Sequence, residues 1–246
     1  MYDFEGQTVI VTGGTRGIGK SIAESFLKTG ARVIVTYSSN DAAALKFKEE
    51  SSQYAENIDV QKCDVARYKD VENFFEYIDK KYEGFEVLVN NAGIRKDAVL
   101  AMMKEADWHD VLEVNLSGVF YMCKFAVMNL MRKRYGRIIN ITSPSGKYGF
   151  EGQANYAASK AGLIALTKTL SKEVARRGIT VNCVSPGFIA TELIDDLPKE
   201  LRDSYIAQVP LKRFGKPEEV AVCVLFLASK EASYVNGATL EVTGGL

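Results

Sequence analysis

Val9-Ile10-Val11-Thr12-Gly13-Gly14-Thr15-Arg16-Gly17-Ile18-Gly19 is the stretch whose reading decides the fold. Its opening run of β-branched apolar residues suits a strand covered on both faces of a parallel sheet. In the glycine pattern that follows, Gly13 permits a tight turn, Gly17 a close backbone approach to a pyrophosphate, and Gly19 close packing of a helix on the strand. A helix is predicted over roughly 18–28, with its N-terminal amides aimed at the turn, where they favour an anion. Gly30 ends that helix, and a second strand is predicted over 32–36. Glycine spacing alone is weak, but a strand before it and a helix after it make a βαβ unit.

The alternation continues outward from this unit. Strands are predicted over 58–63, 87–89, 137–142, 179–184 and 238–242, and helices over 41–54, 71–82, 107–133, 156–174 and 217–228. No repeat or linker interrupts the series. The expectation is one doubly wound, Rossmann-like α/β domain over 1–246, with about seven parallel strands and helices on both faces. Residues 1–110 would form its cofactor-binding half and 111–246 its catalytic half. The stretch 188–210 is polar and only partly periodic, which suits a mobile lid.

Composition narrows the function. The 246-residue chain is 47% apolar, and its 31 Lys and Arg balance 31 Asp and Glu. A net charge of zero creates no global field to draw nucleic acid or an anionic membrane, so a charged partner must use a local patch. Met1-Tyr2-Asp3-Phe4-Glu5 lacks the basic start and apolar core of a secretory signal, and uninterrupted apolar runs such as Ala221 to Ala228 are too short to span a bilayer. A cytoplasmic location is expected. Cys63, Cys123, Cys183 and Cys223 form no Cys-x-x-Cys pair, and His109, beside Trp108, is the one histidine. They read as buried free thiols and a structural histidine, with no metal site.

Chemistry-bearing residues gather at the predicted strand ends. A unit that prefers NAD usually carries an acid about 20 residues past the glycines, at the tip of the second strand, to hold the ribose 2′-hydroxyl. Here the tip reads Thr36-Tyr37-Ser38-Ser39-Asn40, with no carboxylate until Asp41. Arg16 and Ser38 can instead hold a 2′-phosphate, which favours NADP(H); the competing reading leaves Arg16 solvated and lets Asp41 reach the ribose. Asp64-Val65, after the third strand, can meet an adenine amino group or simply cap a turn. Asn90-Asn91-Ala92-Gly93 ends the fourth strand, where two amides and a glycine are hard to explain as packing. Ser143-Pro144-Ser145-Gly146 turns away from the fifth. Asn115 falls mid-helix, where an amide competes with the backbone, and Gly118 is a poor helix former. Two explanations stand: a helix kinked for packing, or an amide that holds a water.

In Asn155-Tyr156-Ala157-Ala158-Ser159-Lys160-Ala161, Tyr156 and Lys160 share a helix face. A phenol titrates near pH ~10, and a neighbouring cation favours the phenolate, so the two read as an acid/base pair. The plain alternative is an amphipathic pair on a core helix. The stripe Tyr156, Lys160, Leu163, Thr167, Leu170 and Val174 is predicted to face the sheet, and Ala157, Ala161 and Ala165 would let another helix approach.

With TGGTRGIG at 12–19, NNAG at 90–93, Asn115, Ser143, YAASK at 156–160 and Pro186-Gly187 in this order, the chain resembles the short-chain dehydrogenase/reductase family over nearly its whole length. Within it, the segment from Gly152 to Thr191 is similar to the bacterial 3-oxoacyl-[acyl-carrier-protein] reductases. That resemblance implies an NADPH-dependent reductase of fatty acid or related acyl-chain biosynthesis, with an acyl carrier protein as partner and a homotetramer built on the Asn115 and Tyr156 helices. It assigns the substrate carbonyl to Ser143, the proton to Tyr156, the nicotinamide ribose and a lowered tyrosine pKa to Lys160, and a relay water to Asn115. Cofactor binding falls on Gly13, Thr15, Arg16, Gly17, Ile18, Gly19, Ser38, Asp64, Val65, Asn91, Ala92, Gly93, Tyr156, Lys160, Ile189 and Thr191. Ser143 and Ser145 would line the substrate. Arg134 and Arg177, in basic clusters expected beside the active-site mouth, match arginines that dock the carrier. Pro144-Ser145 departs from the aliphatic pair common after that serine, and Gly244-Gly245-Leu246 from a frequent C-terminal methionine. The rival readings are a reductase of a polyketide, sugar or small ketone, and a non-catalytic dinucleotide-binding subunit.

Overall fold

Alternate residues of strand β1 (Thr8–Thr12) enter different cores: Val9 and Val11 lie in one hydrophobic cluster and Ile10 in the other. β2 (Arg32–Tyr37) repeats this period of two, with Val33 and Val35 opposite Ile34. The structure, a computed structural model, describes residues 2–192 and 198–246. β3 (Ile58–Lys62), β4 (Val87–Asn90), β5 (Gly136–Ile141), β6 (Ile179–Pro186) and β7 (Thr239–Val242) complete a seven-stranded sheet in the order β3-β2-β1-β4-β5-β6-β7. All its pairings are parallel, as the alternation implies.

The helices in chain order are α1 (Gly17–Leu27), α2 (Asp41–Glu50), α3 (Tyr68–Tyr82), α4 (Glu105–Leu112), α5 (Gly118–Lys133), α6 (Ser145–Tyr148), α7 (Ala154–Val174), α8 (Lys199–Gln208) and α9 (Pro217–Ala228). Buried residues of α1, α2 and α9 build the core on one face of the sheet, and those of α3, α5 and α7 the core on the other. The strand order reverses between β1 and β4. In such sheets ligands bind at that point, across the carboxyl ends of the strands.

Four details differ from expectation. The helix predicted over 107–133 is interrupted by a π-helical segment, Glu113–Ser117, because the Asn115 side chain turns inward to a neighbouring loop. Gly118 has its own reason: a Cβ there would stand 2.9 Å from the carbonyl oxygen of Val65, so α5 rests on the backbone of the turn after β3. The continuous stretch Glu105–Lys133 is long and apolar enough to cross a membrane by length and composition, which a count of unbroken apolar runs overlooks. Its Val111, Val119, Met122, Ala126 and Leu130 are buried. His109 is exposed on α4, 3.6 Å from Glu105, rather than built into the structure.

Of the lid expected over 188–210, residues 193–197 lie outside the described residues. In the remainder, the Phe188 ring stacks on Tyr205 of α8 with centroids 4.5 Å apart, and Ile189 pairs with Gly215. The four cysteines are free, with Cys63, Cys123 and Cys183 buried. Among the described residues no group of His, Cys, Asp and Glu is arranged to hold a metal ion.

Candidate active site

The turns leaving β1, β4 and β5 make one floor. Gly13 and Gly17 adopt φ of 62° and 53°, in the left-handed region that favours glycine. A Cβ on Gly19 would collide with the Gly13 carbonyl and the Asn91 amide, so α1 can start here only without one. Asn91 Nδ2 donates to the carbonyls of Thr12 and Gly13, at 3.0 Å each, while Thr12 Oγ1 accepts from the amides of Asn91 and Ala92. The Asn91 side chain thus fastens the glycine turn.

That turn fits a dinucleotide's phosphates. Arg16, the exposed N-cap residue of α1, makes no side-chain cap, and the first turn holds no acid, leaving the early amides for an anion. Thr15 is buried beneath it, and Thr191 borders it, its Cγ2 3.7 Å from where a Cβ on Gly17 would lie. At the tip of β2, Ser38 is exposed. Asp41 is held by Lys62 at 3.1 Å and by the Tyr37 hydroxyl, which keep its carboxyl below the usual range. Asp64 accepts from the Ala66 amide at 3.1 Å and faces Arg67 Nε at 3.5 Å, a turn cap, and Val65 is buried under Gly118.

Across the floor, α7 presents a half-buried Tyr156 and a fully enclosed Lys160, 4% exposed. Lys160 Nζ donates to the Ile141 carbonyl at 2.8 Å and lies 5.6 Å from the Tyr156 ring centroid. Burial, uncompensated by any carboxylate among the described residues, pulls its pKa down to about 8. Ser143 stands next to the Tyr156 phenol and favours its ionised form. Burial raises the phenol above its ordinary value, against the opposing pull of Ser143 and of the Arg95 guanidinium, 5.7 Å from the ring centroid. Burial discourages the Lys160 ammonium, and Arg95 stands beside the phenol as a further cation.

Gly93 draws the β4 turn against both sides of the cluster, since a Cβ on it would lie 3.2 Å from Asn115 Oδ1 and 3.7 Å from Lys160 Nζ. Asn115 is fully buried. Its Oδ1 accepts from the Ile94 amide at 2.8 Å, and its Nδ2 donates to the Ile94 carbonyl at 2.9 Å and to Ser159 Oγ at 3.3 Å. Its side chain is thus committed to structure. Ser145 is buried and donates to Gln153 Oε1 at 2.8 Å. Arg95, Asp97 and Gln153 border the cluster and were missed in the sequence. A polar Ser145 where an aliphatic residue is common was the available hint of a polar partner.

Arg134 and Arg177 do come together: Arg134 caps α5 with φ of 52°, and a Cβ on Gly178 would lie 2.6 Å from its carbonyl oxygen. They precede β5 and β6, however, so they lie at the amino edge of the sheet. Ser143 and Gly13 occupy the carboxyl edge, a strand length of roughly 20 Å away. The expected place beside the active-site mouth is wrong within one chain, because a helix that leads into a strand ends at that strand's beginning.

Comparison with known proteins points the same way. The family described as Enoyl-(Acyl carrier protein) reductase matches residues 13–246. The 3-oxoacyl-[acyl-carrier-protein] reductase FabG of Vibrio cholerae is 45% identical over 244 residues, 99% of this chain and 98% of that one. Its counterpart in Escherichia coli K12 is 46% identical over 245 residues, with the same coverage. The one from Aquifex aeolicus is 42% identical over 242 residues, 98% of both chains. A parallel sheet reversing at a glycine turn, with a serine, a tyrosine and a lysine gathered beside it, is what this likeness should produce, and the chain belongs to the short-chain dehydrogenase/reductase family.

Proposed function

We propose that this oxidoreductase reduces the 3-oxo group of an acyl chain carried as a thioester on acyl carrier protein, in the synthesis of fatty acids or related chains. The convergence of Ser143, Tyr156 and Lys160 beside a turn suited to a dinucleotide carries the reading, and the names of the full-length relatives support it. Bound NADPH supplies the hydride. Ser143 donates to the ketone oxygen and orients it, and Tyr156, beside Ser143, delivers the proton to the same oxygen. Such general acid catalysis contributes about 10²- to 10⁴-fold. Lys160, anchored on the Ile141 carbonyl, holds the nicotinamide ribose. Since the Asn115 side chain is committed to Ile94, a relay water placed by this residue uses its main-chain carbonyl.

NADPH is preferred to NADH in this proposal because Asp41, the nearest acid, is already engaged by Lys62 and Tyr37, while Arg16 and Ser38 stay exposed. The site joins a cofactor half, 1–110, to a catalytic half, 111–246, in a cytoplasmic homotetramer. Ala161 and Ala165 on α7, and Phe120 and Met128 on α5, are exposed and available to other copies. Arg134 and Arg177 can then dock a carrier serving a site on a neighbouring copy.

The description of the matched family names a C=C reduction. That reaction delivers its proton to carbon, whereas the Ser143–Tyr156 pair is built to serve an oxygen. Purified protein with NADPH should turn over an acetoacetyl thioester and leave a crotonyl thioester untouched. Tyr156→Phe should reduce kcat at least ~100-fold in a folded protein. Crotonyl reduction, or a fully active Tyr156→Phe, would overturn the assignment.

A further inference from the structure

On the open side of the Tyr156 ring, five side chains form a polar circuit. Ser143 Oγ donates to Ser145 Oγ at 3.3 Å and accepts from the Ser145 amide at 3.3 Å. Ser145 Oγ donates to Gln153 Oε1 at 2.8 Å, and Gln153 Nε2 donates to Asp97 Oδ2 at 3.2 Å. Asp97 pairs with the Arg95 guanidinium, whose carbon lies 5.7 Å from the centroid of the Tyr156 ring. The Tyr156 phenol lies between the two ends of this chain, beside Ser143 and under Arg95. The loop after β4 is brought here by the bond from the Ala98 amide to the Gly152 carbonyl, 2.9 Å.

We propose that Arg95 is a positioning residue for the proposed ketone reduction: a second cation, besides Lys160, that stabilises the charge left on Tyr156 when its proton departs. The Asp97–Gln153–Ser145 chain fixes its place relative to Ser143. Within ~6 Å of a ring, a guanidinium is attracted to the neutral phenol, and more strongly to the phenolate that replaces it. Among the described residues, the charged groups facing Tyr156 are Arg95 and Asp97 from the loop after β4 and Lys160 from α7. Asp97 opposes the effect, and exposure of Arg95 screens it. The net influence is therefore smaller than that of an enclosed pair.

The test rests on the ketone-reductase reading and is separable from it. Oxidation of racemic 3-hydroxybutyryl-CoA with NADP⁺ is followed from pH 6 to 10, where the phenolate is the active form and the rate rises with pH. Arg95→Met should move the midpoint of kcat/KM upward by about 0.5 unit, with the rate recovering at high pH, and Arg95→Lys should restore the midpoint. Gln153→Leu, which cuts the circuit while leaving the guanidinium in place, should move it partway. A uniform loss of rate at every pH in Arg95→Met, with the midpoint unmoved, would make the residue merely structural and overturn the inference. Full activity of Tyr156→Phe would instead overturn the reading beneath it.

Discussion

Lys160 carries an ammonium where the fold does not favour one. Its folded pKa of about 8 lies below the 10.5 of ordinary lysine, so between these values the unfolded chain holds a proton that the folded chain has shed. Stability must therefore rise as pH climbs through that window. Lys160→Met removes the titration but also the bond to Ile141. At pH 7 it should stabilise the cofactor-free protein by about 2 kcal/mol, after about 1 kcal/mol is subtracted for the lost hydrogen bond, while abolishing activity. Thermal unfolding of both proteins at pH 7 and pH 10 checks this, and a difference that does not shrink at pH 10 would contradict it. Ser38→Asp puts a carboxylate where a 2′-phosphate would sit. It should weaken NADPH by about 2–3 kcal/mol, some 30- to 150-fold, and an unchanged NADPH/NADH ratio in fluorescence titrations would place the phosphate elsewhere. At this scale the cluster was readable because Ser143, Tyr156 and Lys160 sit at a strand end and on one helical face, both periodic features. Arg95 was not readable, because its position depends on how two loops meet.

Among the elements, the π-helical segment between α4 and α5 has the most to explain. It was invisible in the sequence, since one wide turn leaves the apolar spacing on either side intact; Asn115 and Gly118 marked the place without giving its form. Asn115 satisfies both backbone groups of Ile94, which leads into the loop holding Arg95. Asn115→Leu keeps the volume and strands those two groups. Each buried unpaired group costs about 1–3 kcal/mol, so a loss of about 2–6 kcal/mol in urea unfolding is expected, together with a fall in kcat larger than any rise in KM. A stability unchanged within about 0.5 kcal/mol would mean that water replaces the amide. The strands of the sheet, by contrast, were placed to within a residue or two, because buried parallel strands advertise themselves as apolar runs between glycines and amides.

For the whole molecule, the separation of the arginines from the site yields a sharp expectation. If Arg134 and Arg177 dock a carrier for a neighbouring copy, the double variant Arg134→Glu/Arg177→Glu should raise KM for carrier-bound substrate and spare a short CoA thioester. Co-refolding it with Tyr156→Phe should then regenerate carrier-dependent activity that neither variant has alone, since some sites would combine an intact tyrosine with intact arginines. No recovery in mixed oligomers, verified by light scattering, would confine docking to one chain. The fastening of the glycine turn by Asn91 has a further consequence, in the order of events as the chain matures. β1 can pair with β2 through near neighbours, Thr8 with Arg32, but its other partner joins through Val9 and Val87, a contact far more distant along the chain. Closing so long a loop is slow. The N-terminal βαβ unit should therefore form early with its phosphate turn still loose, and acquire nucleotide affinity as a late step of refolding, once β4 has delivered the amide that ties the turn down.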